Sequence, residues 1–286
     1  MQPEFKRTLS KAEIATYNTD GVLLIRQAFD PEWIEGLSKG LEHNRGNPTH
    51  RARRWYKNEA GHSMFWDSQA WQGVPQYKEF VFKSPAASIA GQLMQAQQVN
   101  FFFDAVFVRS PGTQFTTPWH QDEPYWSVDG YDTLTIWMPL VPVTKASALA
   151  FVPGSHRTDS VYYQHNFGDL NPDNIDGVDQ SDFSSVGQVA IPDIDANPEA
   201  YNVTSWDMQP GDCVVFNGRT IHGGSGKLGD EKGLSVFTSK WLGDDAHIKL
   251  REVGMDPDHT DCILAAGLND GDRPGTDLYP EIWRRQ

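Results

Sequence analysis

The sequence predicts a mainly β protein with helices confined to its N-terminal part, and three observations predict it. After Asn100 the chain runs through short strand-like stretches, 101–108, 133–140, 148–152, 213–217 and 234–242, several separated by Pro-Gly turns. Many short strands without alternating helices indicate a sandwich or a barrel. Helix start signals appear only before that point. The third observation is Trp119-His120-Gln121-Asp122, which follows the 101–108 run and is answered far downstream by His222. It is a set of metal-binding side chains placed in strand contexts.

The elements follow in order. Ser10-Lys11-Ala12-Glu13 reads as a capping box that opens a helix stopping before Asp20-Gly21. Val22-Leu23-Leu24-Ile25 is a buried strand. Asp30-Pro31-Glu32 starts a second helix, with Pro in the first turn. Trp33, Ile34, Leu37 and Leu41 share one face of it at helical spacing. Residues 47–75, rich in Arg, Trp and His, are expected to form loop and short helix over the mouth of a pocket, and a third helix is expected from Ser84 to about Gln97. Residues 1–99 are thus read as mostly helical. Residues 157–205 hold Asp169, Asp173, Asp176, Asp179, Asp182, Asp193 and Asp195 among Asn, Gly and Pro. A loop of that length in a compact domain is usually a lid or disordered. A calcium loop is disfavoured, because Asp169-Leu170-Asn171-Pro172-Asp173 lacks the required glycine and distal glutamate. No linker divides the chain, so residues 1–286 are expected to form a single domain.

Composition excludes several classes. The formal charge of −14 opposes binding to nucleic acid and to anionic membranes. No stretch approaches the roughly 20 apolar residues of a membrane span, and the N-terminus lacks a secretory h-region. Two cysteines, Cys213 and Cys262, make no disulfide framework, and Cys213 in its apolar run reads as a buried thiol. The expected location is the cytoplasm.

His120, Asp122 and His222 have the composition of the 2-His-1-carboxylate facial triad of non-haem Fe(II) oxygenases. Residues two apart on a strand share a face, so His120 and Asp122 are expected to grip one ion, with His222 arriving from a neighbouring strand. Zinc uses the same residue types, but mostly in tetrahedral catalytic sites. His50, His62 and His156 read as hydrogen-bonded or surface histidines, and His247 and His259 as exposed.

An ordered set of motifs runs along the chain: Pro111-Gly112, Thr117-Pro118-Trp119-His120, Glu123-Pro124-Tyr125-Trp126, Phe151-Val152-Pro153-Gly154-Ser155-His156, Gln209-Pro210-Gly211-Asp212 and Gly218-Arg219-Thr220-Ile221-His222. On these residues the sequence resembles the phytanoyl-CoA dioxygenase family of Fe(II)/2-oxoglutarate oxygenases. The resemblance spans about Asp20 to Asp245. It implies a double-stranded β-helix (a jelly roll, cupin-like), Fe(II) bound by His120, Asp122 and His222, and 2-oxoglutarate and O2 as co-substrates. It further implies oxidation of a small organic molecule and a co-substrate site lined by Thr117, Trp126 and Thr135. In the family the far carboxylate of 2-oxoglutarate is gripped by an arginine about ten residues after the distal histidine, two N–H groups matching two oxygens. This sequence departs from that pattern: there is no Arg between His222 and Trp241, and Lys232 stands closest to the expected position. Arg109, Arg219 and Lys240 are the other candidate cations. The missing arginine leaves open an iron enzyme that uses no oxo acid. Halogenases of this architecture lack the carboxylate ligand, so Asp122 disfavours that reaction. A jelly roll acting only as a binding module would not need all three ligands. Phe103, Phe107, Tyr125 and Trp137 are expected at an apolar mouth, with Arg53, Arg54 and Arg109 available for an acidic group.

Overall fold

The computed structural model describes residues 8–57, 62–113, 116–164, 175–176, 189–224, 228, 233–252 and 254–286, with backbone alone for 54–57, 62, 175 and 176. The chain begins with α1 (Lys11–Asp20), β1 (Val22–Ile25) and α2 (Pro31–Gly46). It continues through β2 (Arg53–Lys57), β3 (His62–Ser68), α3 (Pro75–Lys83), α4 (Ala86–Met94) and the long β4 (Gln98–Arg109). Next come β5 (Thr117–His120), β6 (Val128–Asp129), β7 (Thr133–Pro139), β8 (Ala150–Phe151) and β9 (Ile175–Asp176). The last elements are β10 (Cys213–Asn217), β11 (His222–Gly224), β12 (Leu234–Leu242), β13 (His247–Ile248), α5 (Thr260–Ala265) and β14 (Glu281–Arg284).

Among the described residues the strands form a main sheet ordered β1-β10-β7-β12-β4-β3-β2-β9, with β14 also on β4, a small sheet β5-β11-β8, and the pair β13-β6. Every ladder is antiparallel. The central strands β10, β7, β12 and β4 of the main sheet are covered on both faces, so they alternate between two buried environments. On β12, Phe237 and Trp241 join the cluster under the helices, while Leu234, Val236, Thr238 and Lys240 line a cavity on the other face. The helical side is fastened by aromatic contacts: Tyr77 and Phe80 of α3 lie 4.9 and 5.2 Å from Phe237, and Phe101 meets Trp241 edge-on at 5.0 Å. Cys213 is fully buried here, as expected, and burial pushes its thiol pKa up.

The capping box on α1 is present: Ser10 Oγ accepts from the Glu13 amide at 3.2 Å, and Glu13 accepts from the Ser10 amide at 2.8 Å. Gly21 ends that helix at φ +71°, the left-handed region that suits glycine. Two expectations are corrected. Residues 53–57 and 62–68 are strands of the main sheet rather than loop and short helix. β4 is twelve residues long and supplies β3 with a partner, so Met64 and Trp66 turn to the cavity and Phe65 to the helices. The helix expected from Ser84 to about Gln97 is present as the shorter α4, and an unexpected α3 precedes it; Ser84 itself is extended (φ −75°, ψ 165°) and separates the two. A residue before proline is pushed out of the helical region. The acidic 157–205 stretch, expected to be a lid, falls in part on residues 165–174 and 177–188, outside the described residues. Its last part is packed: Ile194 is buried in a cluster with Val152 and Ile221. No helix among the described residues is long and apolar enough to cross a membrane.

Candidate metal centre

The small sheet positions the two histidines. His120 ends β5 and His222 begins β11, directly opposite each other in the ladder, with ring centroids 4.1 Å apart. Asp122 is not on the strand, contrary to the expectation of a two-residue strand spacing. The strand ends at His120, and Asp122 is helical (φ −74°, ψ −45°), just before a 3-10 turn at Glu123–Tyr125. The Gly218 carbonyl accepts the amides of Asp122 and Glu123, each at 2.9 Å, and folds this turn back over the metal ligands. Gly218 is required for that approach, since a Cβ there would sit 2.7 Å from Thr133 Oγ1 and 2.9 Å from Trp126.

The three donors converge. Asp122 Oδ1 lies 3.5 Å from His120 Nε2 and 3.6 Å from His222 Nε2, and the three ligand atoms fall within 4.8 Å of one another. With bonds as long as nitrogen and oxygen donors make to zinc, roughly 2.0–2.2 Å, neighbouring octahedral ligands lie roughly 3 Å apart, so the spacing suits one ion. The outer contacts fix each ligand. His120 Nδ1 faces the Pro118 carbonyl at 2.8 Å and His222 Nδ1 the Thr220 carbonyl at 2.9 Å. Each Nδ1 is thereby the protonated donor, leaving Nε2 with its lone pair. Thr135 donates to Asp122 Oδ2 at 3.1 Å. Burial and the facing His120 hold the His222 pKa down at about 4, so it is neutral and ready to ligate at neutral pH. Burial alone would raise Asp122, but His222, His120 and Lys240 outweigh it and hold the carboxyl well below the usual range.

The triad opens on a cavity of about 210 Å³ between the two sheets. Thr117, Trp126 and Thr135 all line it, as do Phe103, Phe107, Tyr125, Trp137, Arg53 and Arg109. The side chain of Arg54 and all of Lys232 lie outside the described residues. Arg53 is held by Asp256 through two nitrogens at 2.8 Å each. Arg219 pairs with Glu123 and does not line the cavity.

Two features were underweighted in the sequence. Lys240 is 6% exposed, donates to Thr238 Oγ1 and lies 4.8 Å from the Phe103 ring centroid. Burial lowers its pKa to about 8, against the pull of Asp122 and Asp104. The alternation Leu234, Val236, Thr238, Lys240 would have placed it on the cavity face. His259, expected to be exposed, is 1% exposed, set against the edges of Phe102 and Phe103. His156 takes the structural role expected of it, buried with Nε2 at 3.2 Å from the Asn18 carbonyl.

A jelly roll that aims two histidines and a carboxylate into a cavity between its sheets defines a mononuclear metal site of the facial-triad class. The model of the family described as phytanoyl-CoA dioxygenase (PhyH) matches residues 17–231, and the chain belongs to that family. Among solved structures it is similar to SnoK, a non-heme alpha ketoglutarate dependent carbocyclase from nogalamycin biosynthesis. The TM-score is 0.70 at 19% identity, over 99% of this chain and 100% of that one. It is similar to the epimerase SnoN in complex with Fe3+, alpha ketoglutarate and nogalamycin RO, with a TM-score of 0.65 at 18% identity over 96% of this chain and 98% of that one. EctD from S. alaskensis with 2-oxoglutarate and 5-hydroxyectoine gives 0.61 at 14% identity, over 85% of this chain and 83% of that one. These likenesses bear out the double-stranded β-helix fold. A search of curated protein sequences found no match.

Proposed function

We propose that the protein is a non-haem Fe(II)/2-oxoglutarate-dependent dioxygenase that oxidises a small organic molecule, in the simplest case by hydroxylation. The observation that carries this reading is the convergence of His120, Asp122 and His222 on one cavity, with both Nδ1 atoms committed to carbonyls. Iron and 2-oxoglutarate would supply the oxidising equivalents from O2, the oxo acid leaving as succinate and CO2. The protein's own contributions are positional. Thr135 holds Asp122 Oδ2, which leaves Oδ1 for the ion. The Lys240 ammonium offsets negative charge beside Asp122. Thr117 and Trp126 are the further side chains proposed to line the co-substrate site, and the aromatic wall of Phe103, Phe107 and Trp137 keeps bulk water from the reacting centre. Residues 1–286 are proposed to act as one catalytic unit.

A second reading, an iron enzyme of the same fold that needs no oxo acid, is favoured by one observation. The cavity-facing residue at the start of β12 is Leu234, and no arginine stands between His222 and Trp241. Anaerobic reconstitution with Fe(II), followed by titration with 2-oxoglutarate and assay of succinate on adding O2, separates the two. Binding and succinate formation support the first reading. O2 consumption without succinate supports the second.

A further inference from the structure

On the reading that 2-oxoglutarate is the co-substrate, its far carboxylate needs a cation, and β12 offers none near the expected place. We propose that Arg109 holds it, reaching in from the neighbouring strand. The warrant is the register of the main sheet. Leu234 is the first residue of β12 on the cavity face, and its cross-strand partner on β4 is Arg109. Directly opposed side chains start about 4.5–5.5 Å apart at Cβ, a gap that an arginine side chain spans. From β4 the guanidinium serves the corner of the cavity that the start of β12 faces.

Arg109 has the properties the task requires. It is 7% exposed, and burial lowers its pKa only to about 10, so it stays charged at neutral pH. Nη2 donates to the Thr113 carbonyl at 3.4 Å, which orients the group from the β4–β5 connection. Guanidinium keeps the planar fork that matches a carboxylate, which no lysine offers.

Among the described residues, the other candidate cations are placed for different work. Arg53 and Arg219 are each clamped to a carboxylate. Lys240 stands opposite Thr135 in the ladder, and Thr135 bonds the metal-ligating Asp122. It therefore lies at the metal end of the cavity. Six residue steps along the strand, roughly 20 Å of backbone, separate it from Leu234.

The test compares two ligands on the anaerobic Fe(II)-loaded protein by calorimetry: 2-oxoglutarate, and 2-oxopentanoate, which has the same chelating end but no far carboxylate. The wild type is expected to prefer 2-oxoglutarate. Arg109→Met should weaken 2-oxoglutarate binding by about 10- to 100-fold, the loss of one charged hydrogen-bonded contact, and leave 2-oxopentanoate binding and iron content unchanged. Arg109→Lys should fall between. The double variant Arg109→Leu/Leu234→Arg should regain the preference, which a merely structural Arg109 would not allow. An Arg109→Met protein that still discriminates as the wild type does overturns the proposal alone. Loss of discrimination in Lys240→Met but not in Arg109→Met overturns it in favour of the lysine. A wild type that binds neither oxo acid overturns the co-substrate reading itself.

Discussion

Arg219 grips Glu123 with two nitrogens, Nε on Oε2 and Nη2 on Oε1 at 3.0 Å. The pair joins the turn that carries Asp122 to the loop that delivers His222. Gln121 reinforces the join by donating to the Arg219 carbonyl at 2.9 Å. Burial raises the Glu123 pKa and Arg219 opposes that rise, so removing the arginine strands a carboxylate in a poor solvent. Arg219→Ala is expected to cost about 3 kcal/mol, the low end for breaking a buried pair, because Arg219 is 30% exposed. Urea unfolding measures this, and iron retained after dialysis should fall with it. Full retention of both would reduce the pair to a surface contact.

His120→Ala and His222→Ala should each abolish stoichiometric iron binding, because either change leaves two ligands. Thr135→Val should be milder. It frees Asp122 Oδ2 without removing a ligand, and loss of such an outer contact typically weakens metal affinity 10- to 100-fold. Competition with a coloured chelator gives the affinities. If both histidine variants hold one iron per chain, the assignment fails.

His259 makes the fold sensitive to acid. Burial, with Arg51 adding to it, depresses its pKa from 6.5 to about 3, so the folded protein keeps it neutral while the unfolded chain takes up a proton below pH 6.5. Its contribution to stability is therefore complete above that value and shrinks as pH falls toward 3, by about 1.4 kcal/mol per pH unit. His222, depressed to about 4 by burial and His120, adds the same sign in the metal-free protein. Asp104, raised by burial to about 7, has the opposite sign between pH 3.8 and 7. Metal-free His259→Gln should lose less stability than wild type between pH 6.5 and 5, as read by urea midpoints. Parallel slopes in the two proteins would clear His259 of the effect.

Phe237 ties the helical layer to the sheet through Tyr77 and Phe80 and is fully buried. Phe237→Ala should cost about 3–5 kcal/mol with an unchanged urea slope. A cost under about 1 kcal/mol would mean that α3 repacks into the void, since the penalty depends on how far a site collapses.

The strands after Asn100 were legible because each is a short apolar run cut by turn residues, and the triad because its residue types serve little else in that order. β2 and β3 were not. Arg53-Arg54-Trp55-Tyr56-Lys57 carries too many charges to read as a strand, and only the length of β4 gives it a place. His259 looked like a loop residue, and nothing local reveals that Phe102 and Phe103 enclose it. Asp122 kept its role while losing its strand, because the turn is set by the carbonyl of Gly218, far away in sequence. Pairings between distant segments decided what local pattern could not.

The seating of Gly21 has a consequence for synthesis. Its carbonyl accepts from the Thr220 hydroxyl, 199 residues further on, and among the described residues β1 pairs only with β10. β1 thus waits for a partner strand about 190 residues further along the chain. At the ribosomal rate of roughly 5–20 residues per second that wait lasts on the order of 10–40 s. During it the apolar Val22–Ile25 edge has no partner strand, and the metal ligands on either side of the gap are not yet joined. The iron site therefore closes only after β11 has been made.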